Sequence, residues 1–263
     1  MSGGMSSAGS IQVSTADGVA ELRLRSGDSR NAISIAMWTE LRRFARTVAH
    51  DGNVRVILLA GDEILFSSGA DIREFATLRA PGATRAYDDL VESALRALEA
   101  VPQPTVASVA GPCVGAGASL ACACDLRVAA EDAYFMVPAA RLGLGYDPRG
   151  IARFVRVFGD SVVRGLLLGA GRCDARAAEG CGAVHRVVRP GNVLEEGRRM
   201  ARDMARNAPL TLAAAKAALT SLTRQESGSE VLRRLALEAD ASADYAEGLR
   251  AFKEKRKPEF RGR

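Results

Sequence analysis

The sequence predicts an α/β chain that ends in a run of helices. Two observations carry this. Strand-like and helix-like segments mix up to about residue 190, and helix-period patterns alone follow. Short apolar strands run into glycine-rich turns at 66–72, 109–117 and 142–150, where the chain can reverse or bend sharply. The 263 residues allow one large core, and with only 5% aromatics Ala, Val, Leu and Ile must fill it.

Residues 11–14 and 19–24 alternate apolar and polar about Ala16-Asp17-Gly18, a hairpin signal. Ser34 is placed to cap a helix running to about His50, with Met37, Leu41, Phe44 and Val48 on one face. Residues 54–60 read as a buried strand, and 66–72 as a glycine turn after a strand. A long amphipathic helix is expected over 80–100, led by Pro81. Strands follow at 105–109, 126–129 and 134–137, the last stopping at Pro138. The loop 142–150 enters a helix at 151–158. Beyond Ser161 the chain reads as helical, notably at 193–206, 209–223 and 230–252, with one strand-like run at 183–188. The expected division is a disordered tail at 1–10, an α/β core over 11–195 and a helical region over 196–263.

The stretch from Val109 to Asp125 organises the rest. Glycines 111, 115 and 117 follow a strand, and the small residues 118–123 can form a helix that is apolar all round, hence buried. A helix start offers unpaired N–H groups, which suit a phosphate or a developing oxyanion. A Gly-x-Gly-x-x-Gly fingerprint and a Walker lysine are both missing, so the nucleotide reading is weak. A glycine turn that merely packs a core helix stays open beside the functional reading.

Charge and composition narrow the class. No apolar run approaches the ~18 residues that span a bilayer. The first ten residues lack a charged region followed by an apolar block, so no signal peptide or membrane association is expected, and the cytoplasm is the default location. Five cysteines, three of them inside the small-residue run, read as reduced and buried. With His50 and His185 the only histidines, no metal site is expected, and both read as structural. Residues 250–263 hold seven basic residues against two acids, the whole excess of +5. Such an end reads as a solvated, frayed tail or as a patch for phosphates. Without interleaved aromatics it does not read as a nucleic-acid surface.

Five segments carry a family resemblance in the right order and spacing. They are Arg30-Asn31-Ala32-Ile33, Val54-Arg55-Val56-Ile57-Leu58, Ser68-Gly69-Ala70-Asp71-Ile72, the stretch from Gly111 to Asp125, and Ala251-Phe252-Lys253-Glu254-Lys255-Arg256-Lys257-Pro258. Together they resemble the crotonase superfamily, the enoyl-CoA hydratase/isomerase family, over nearly the whole chain from about Ile11. The resemblance implies a spiral of ββα repeats, with a C-terminal helical region that packs chains into trimers, often paired into hexamers. It implies a coenzyme A thioester as ligand and no separate cofactor. It implies an oxyanion hole from the backbone N–H groups of Ala70 and Ala116. The CoA and acyl contacts would involve Arg30, Ala32, Ala70, Asp71, Ile72, Arg73, Ala116 and Ser119. The basic end, with Lys253, would meet the CoA phosphates, from this chain or a neighbouring subunit. Residues of the 80–100 helix would set the pocket's depth.

The departures from the family are as informative. Its hydratases use two glutamates, which fall here at Ser119 and Ala139. Without a positioned acid and base, worth about 10²–10⁴-fold each, little ordinary hydratase activity is expected. Asp147 matches the place where several non-hydratase relatives carry a functional aspartate. Its position before Pro148 suits equally a helix cap paired with Arg149. Cys113 and Ser119 are expected in the pocket wall, Tyr146 on the acyl group or in the packing, and Asp125 as a structural closure. The expected activity is isomerase-type proton shuttling by Asp147 on a thioester enolate. The alternatives are a non-catalytic acyl-CoA binder and an acyl-CoA thioester hydrolase.

Overall fold

The structure is a computed structural model that describes residues 9–26, 29–74, 84–224 and 229–263. The tail expected at 1–10 falls mostly outside these, as does Pro81, and Ser10 already belongs to the first strand. β1 (Ser10–Ala16) and β2 (Val19–Arg25) form the expected hairpin. Asp17 and Gly18 both take positive φ, 52° and 76°, which matches the turn to the twist of the strands. α1 (Ile35–Val48) starts at Ser34, whose hydroxyl accepts from Met37 N, and buries Met37, Trp38 and Leu41.

The main sheet then grows by parallel addition. β3 (Val56–Ala60), β4 (Thr105–Val109), β6 (Leu126–Ala130) and β9 (Arg186–Val188) join the hairpin in the order β1-β2-β3-β4-β6-β9. β3 and β4 are buried along their whole length, as parallel strands covered on both faces must be. A second sheet holds β5 (Pro112–Val114), β7 (Tyr134–Met136) and β8 (Arg172–Asp174). β5 lies between Gly111 and Gly115 in what reads as a turn, and β8 has a single apolar residue between Arg172 and Asp174, so neither was legible as a strand. Successive passes lay extended residues side by side: Ile33 pairs with Ala70, Ser67 with Cys113, and β5 with β7, all parallel. This is the strand–strand–helix repeat of the expected spiral.

Helices fill the turns of the spiral. They are α2 (Thr84–Glu99), α3 (Ala116–Cys122), α4 (Pro148–Phe158), α5 (Asp160–Leu167) and α6 (Ala175–Gly180). α7 (Val193–Ala205) closes the outer face of the sheet. α8 (Pro209–Arg224), α9 (Ser229–Asp240) and α10 (Ala243–Glu254) form the helical end. The single helix expected over 230–252 is two, because the Ser242 hydroxyl accepts from Tyr245 N and starts a new helix. The basic end is not frayed. Asp244 accepts from Arg261 N and Gly262 N at 2.6 and 2.7 Å, and Arg55 Nη2 donates to Phe260 O at 2.6 Å. Glu247 binds Arg250 and Arg256, so part of the expected phosphate patch is already neutralised.

Gly111 makes the step from the main sheet to the second. Its φ is +45°, and a Cβ there would sit 2.0 Å from Ile64 O, a backbone atom that cannot swing away. Gly111→Ala is expected to cost about 2–4 kcal/mol, as left-handed strain plus overpacking. A fall in the urea midpoint checks this; an unchanged midpoint would show that the two backbones are not so close.

Candidate active site

The repeat brings three glycine-bearing loops to one cavity of about 190 Å³. Residues 68–72 and 114–116 form one wall, α2 a second through Tyr87, Asp88, Val91, Glu92 and Leu95, and residues 137–147 with α4 the third. The first wall is fixed by backbone. Ile33 N donates to Gly69 O, Asp71 N to Ile33 O, and Val114 N to Ser67 O. Gly69 takes φ +114°, and a Cβ built there would stand 4.0 Å from Ala116 N, which places the two loops side by side. Among the described residues neither Ala70 N nor Ala116 N donates to a protein acceptor. Ala116 is the first residue of α3, where an N–H has no partner within the helix.

Ser119 and Ala139 both line this cavity and are 5% and 7% exposed. The two positions where the resemblance places glutamates therefore face it without a carboxylate. Ser119 Oγ instead shares a hydrogen bond with Tyr146 Oη at 2.8 Å. Burial pushes the Tyr146 hydroxyl up to about 12, against the Ser119 hydrogen bond that lowers it. Tyr146 lines the cavity, and its ring packs against Phe154 at 6.0 Å, the packing role expected of it.

Asp147 also lines the cavity. Its carboxylate caps α4 by accepting from Arg149 N at 2.8 Å, and both oxygens accept from the Arg149 guanidinium. Those hydrogen bonds hold the carboxyl below its ordinary range, while its partial burial works the other way. Arg149 reaches Asp89 of α2 as well, at 2.8 Å, so the start of α4 is tied to α2. The cap and the cavity position coexist on one residue.

The remaining expected residues divide. Ala70 and Ile72 line the cavity, and Ile72 is 71% exposed. Asp71 is buried, and its carboxylate accepts from Arg73 N, Nε and Nη2, which fixes the turn. Arg30 and Ala32 lie beside residues 68–70, with Arg30 O accepting from Ser68 N, but outside the cavity lining. Lys253 is exposed on α10 and does not line the cavity of its own chain. Cys113 is a correction: it is fully buried in β5 and packs into the core, not the cavity wall. Asp125 is structural as expected, accepting from Thr105 N and Oγ1 and pairing with Lys216 at 2.8 Å. His185 Nδ1 accepts from Arg127 N, and burial lowers its pKa, so it too is structural.

The sequence reading missed the cavity's charged floor. Arg153 of α4 donates to Glu99 Oε1 at 2.8 Å and Glu92 Oε2 at 3.0 Å, with all three side chains under 10% exposed. Arg96 and Arg156 join from the rim. The signal was present: Glu92 and Glu99 sit seven apart on the buried face of α2, and Arg153 precedes buried Phe154.

This fold and this cavity define an acyl-CoA enzyme scaffold of the crotonase type. The family model described as enoyl-CoA hydratase/isomerase matches residues 14–263. The crystal structure of an enoyl-CoA hydratase/carnithine racemase from Magnetospirillum magneticum superposes with a TM-score of 0.91, at 35% identity over 96% of each chain. A Thermus thermophilus protein named as an enoyl-CoA hydratase is 36% identical over 92% of this chain and 97% of its own. The 2,3-dehydroadipyl-CoA hydratase of Escherichia coli is 32% identical over 92% of this chain and 94% of its own. The chain belongs to the enoyl-CoA hydratase/isomerase family of the crotonase superfamily.

Proposed function

We propose that the cavity takes the acyl part of a coenzyme A thioester and that the chain moves a proton along it. The thioester oxygen would lie between Ala70 N–H and Ala116 N–H, two neighbouring donors without a protein acceptor. Asp147 would take a proton from the acyl chain, leaving an enolate whose charge rests on that oxygen, and return it at another carbon. Nothing is consumed, so one carboxylate suffices where hydration needs a paired acid and base.

The observation that carries the reading is the placement of Asp147 on the cavity while Ser119 and Ala139 face it without a carboxylate. Glu92 is the rival carboxylate, but its partner Arg153 is buried, whereas Arg149, the partner of Asp147, is 38% exposed. The exposed Leu219, Leu222, Leu237 and Phe252 of the helical end support the expected trimer, in which Lys253 would reach a neighbour's ligand. A second reading, a non-catalytic acyl-CoA binder, is favoured by one fact: Arg149 occupies both oxygens of Asp147.

The test is mass spectrometry of the purified protein with saturated, 2-enoyl, 3-enoyl and dienoyl-CoA esters in deuterated water. Deuterium at carbon without added water mass is expected. Gain of water would mean hydration and loss of CoA hydrolysis. Binding without any change would leave the non-catalytic binder.

A further inference from the structure

The hydrogen bonds of Asp147 fix it to its own helix and, through Arg149, to α2. Its carboxylate accepts from Arg149 N and from the Arg149 guanidinium, all donors on α4. Arg149 carries the link to Asp89 of α2. Among the described residues none of the hydrogen bonds of Asp147 reaches α3. Yet the oxyanion donor Ala116 N–H stands at the start of α3. A base acts on a carbon only where the distance between them is held, so α4 and α3 need a link of their own.

Ser119 and Tyr146 supply that link. Tyr146 directly precedes Asp147, and Ser119 lies three residues after Ala116, a spacing that shares one face of a helix. Their hydroxyl oxygens stand 2.8 Å apart. The Tyr146 ring is held at its other end as well. It packs on the buried Phe154, and it lies so close to Gly150 that a Cβ there would stand 2.9 Å from Tyr146 Cε1. Apolar packing between α3 and α4 is non-directional, whereas a hydrogen bond selects one distance and angle. Position 119 is also one of the two where the family's glutamates fall. This chain uses it for a bond to the loop that carries Asp147.

We propose that the Ser119–Tyr146 hydrogen bond sets the separation of Asp147 from Ala116 N–H, and that Ser119 and Tyr146 are positioning residues for the proton transfer. This rests on the reading of Asp147 as the base and Ala116 N–H as an oxyanion donor. The travelling proton stays with Asp147, which is ionised at neutral pH, while burial keeps the Tyr146 hydroxyl protonated there.

The experiment is a double-mutant cycle on the purified chain, read as steady-state turnover of 2-enoyl, 3-enoyl and dienoyl-CoA esters. Tyr146→Phe keeps the ring and removes one hydroxyl, and Ser119→Ala removes the other. Each is expected to lower kcat about 10–10²-fold, the cost of a misplaced group, with KM little changed. The double variant should be no slower than the slower single, because either change breaks the same bond. Costs that multiply in the double variant overturn the proposal, since each hydroxyl would then act on the ester separately. A raised KM with kcat kept overturns it as well, and makes the pair part of the binding wall. So does a lowered melting temperature with kcat kept, which a purely structural bond predicts. If one single variant does not fold, kcat and KM of the other decide. If the unaltered chain consumes no CoA ester, the reading of Asp147 as base fails and the positioning role falls with it. That outcome is distinct from an active chain whose kcat Tyr146→Phe leaves intact, where the positioning role alone fails.

Discussion

Asp147→Asn is expected to lower turnover of an acyl-CoA ester by about 10²–10⁴-fold while CoA-ester binding persists. Asparagine cannot take up a proton, yet it caps a helix about as well as aspartate, so α4 should keep its start. The pair with Arg149 loses its charge, but Arg149 is 38% exposed and solvent already screens the interaction. The pH profile gives an independent check. Arg149 holds the carboxyl below its ordinary range, so the proton-accepting form is present throughout neutral pH. The acid limb of kcat/KM that belongs to this group should therefore fall below about pH 3.9, the unperturbed value. The same sign governs stability. The contribution of the pair is fully present above that unfolded value and is lost as pH falls through the lower folded one. Asp88→Asn is the control, since Asp88 lines the same cavity from α2. Unchanged turnover in Asp147→Asn together with a collapse in Asp88→Asn would transfer the role of base to Asp88.

Long elements with clear periodicity were legible in the residues. The Asp17-Gly18 hairpin, the Ser34 cap and the buried runs of β3 and β4 appear where their spacing predicts. What stayed hidden was set by tertiary pairing. β5 and β8 are strands because β7 lies between them, while their own residues read as a glycine turn and a polar stretch. The break at Ser242 rests on one side-chain cap inside an otherwise continuous helical pattern. At the site, Ala70 and Ala116 could be named only through the family resemblance, because an N–H has no side-chain signature. Asp147 left two roles open, and the structure shows why: the cap, the Arg149 pair and the cavity wall meet on the same carboxylate. Asp71 was named through its motif, and its bonds to Arg73 appear only in the folded turn. The Arg153 floor draws its ions from α2 and α4, more than 50 residues apart in sequence, so only folding reveals the pairing.

Ala116→Pro is expected to cost about 10²–10³-fold in turnover, the loss that follows removal of one oxyanion donor. The substitution removes the N–H and puts the proline Cδ where its hydrogen pointed. Ala116 is the first residue of α3, a position where proline's fixed φ suits the helix and where no intrahelical hydrogen bond is lost. Proline constrains the residue before it through that residue's Cβ and N–H, and Gly115 lacks the first of these. The Gly115 N–H continues to donate to Met136 O at 2.8 Å, so the loop keeps its anchor on β7. The lost donor is worth most where charge accumulates, so turnover should fall further than binding of a saturated acyl-CoA, which reports how far the Cδ obstructs the ester itself. Turnover and binding falling together would mean that Ala116 N–H merely positions the ester. Turnover that survives intact would remove Ala116 from the site and leave the enolate charge to Ala70 N–H and whatever else lines the cavity.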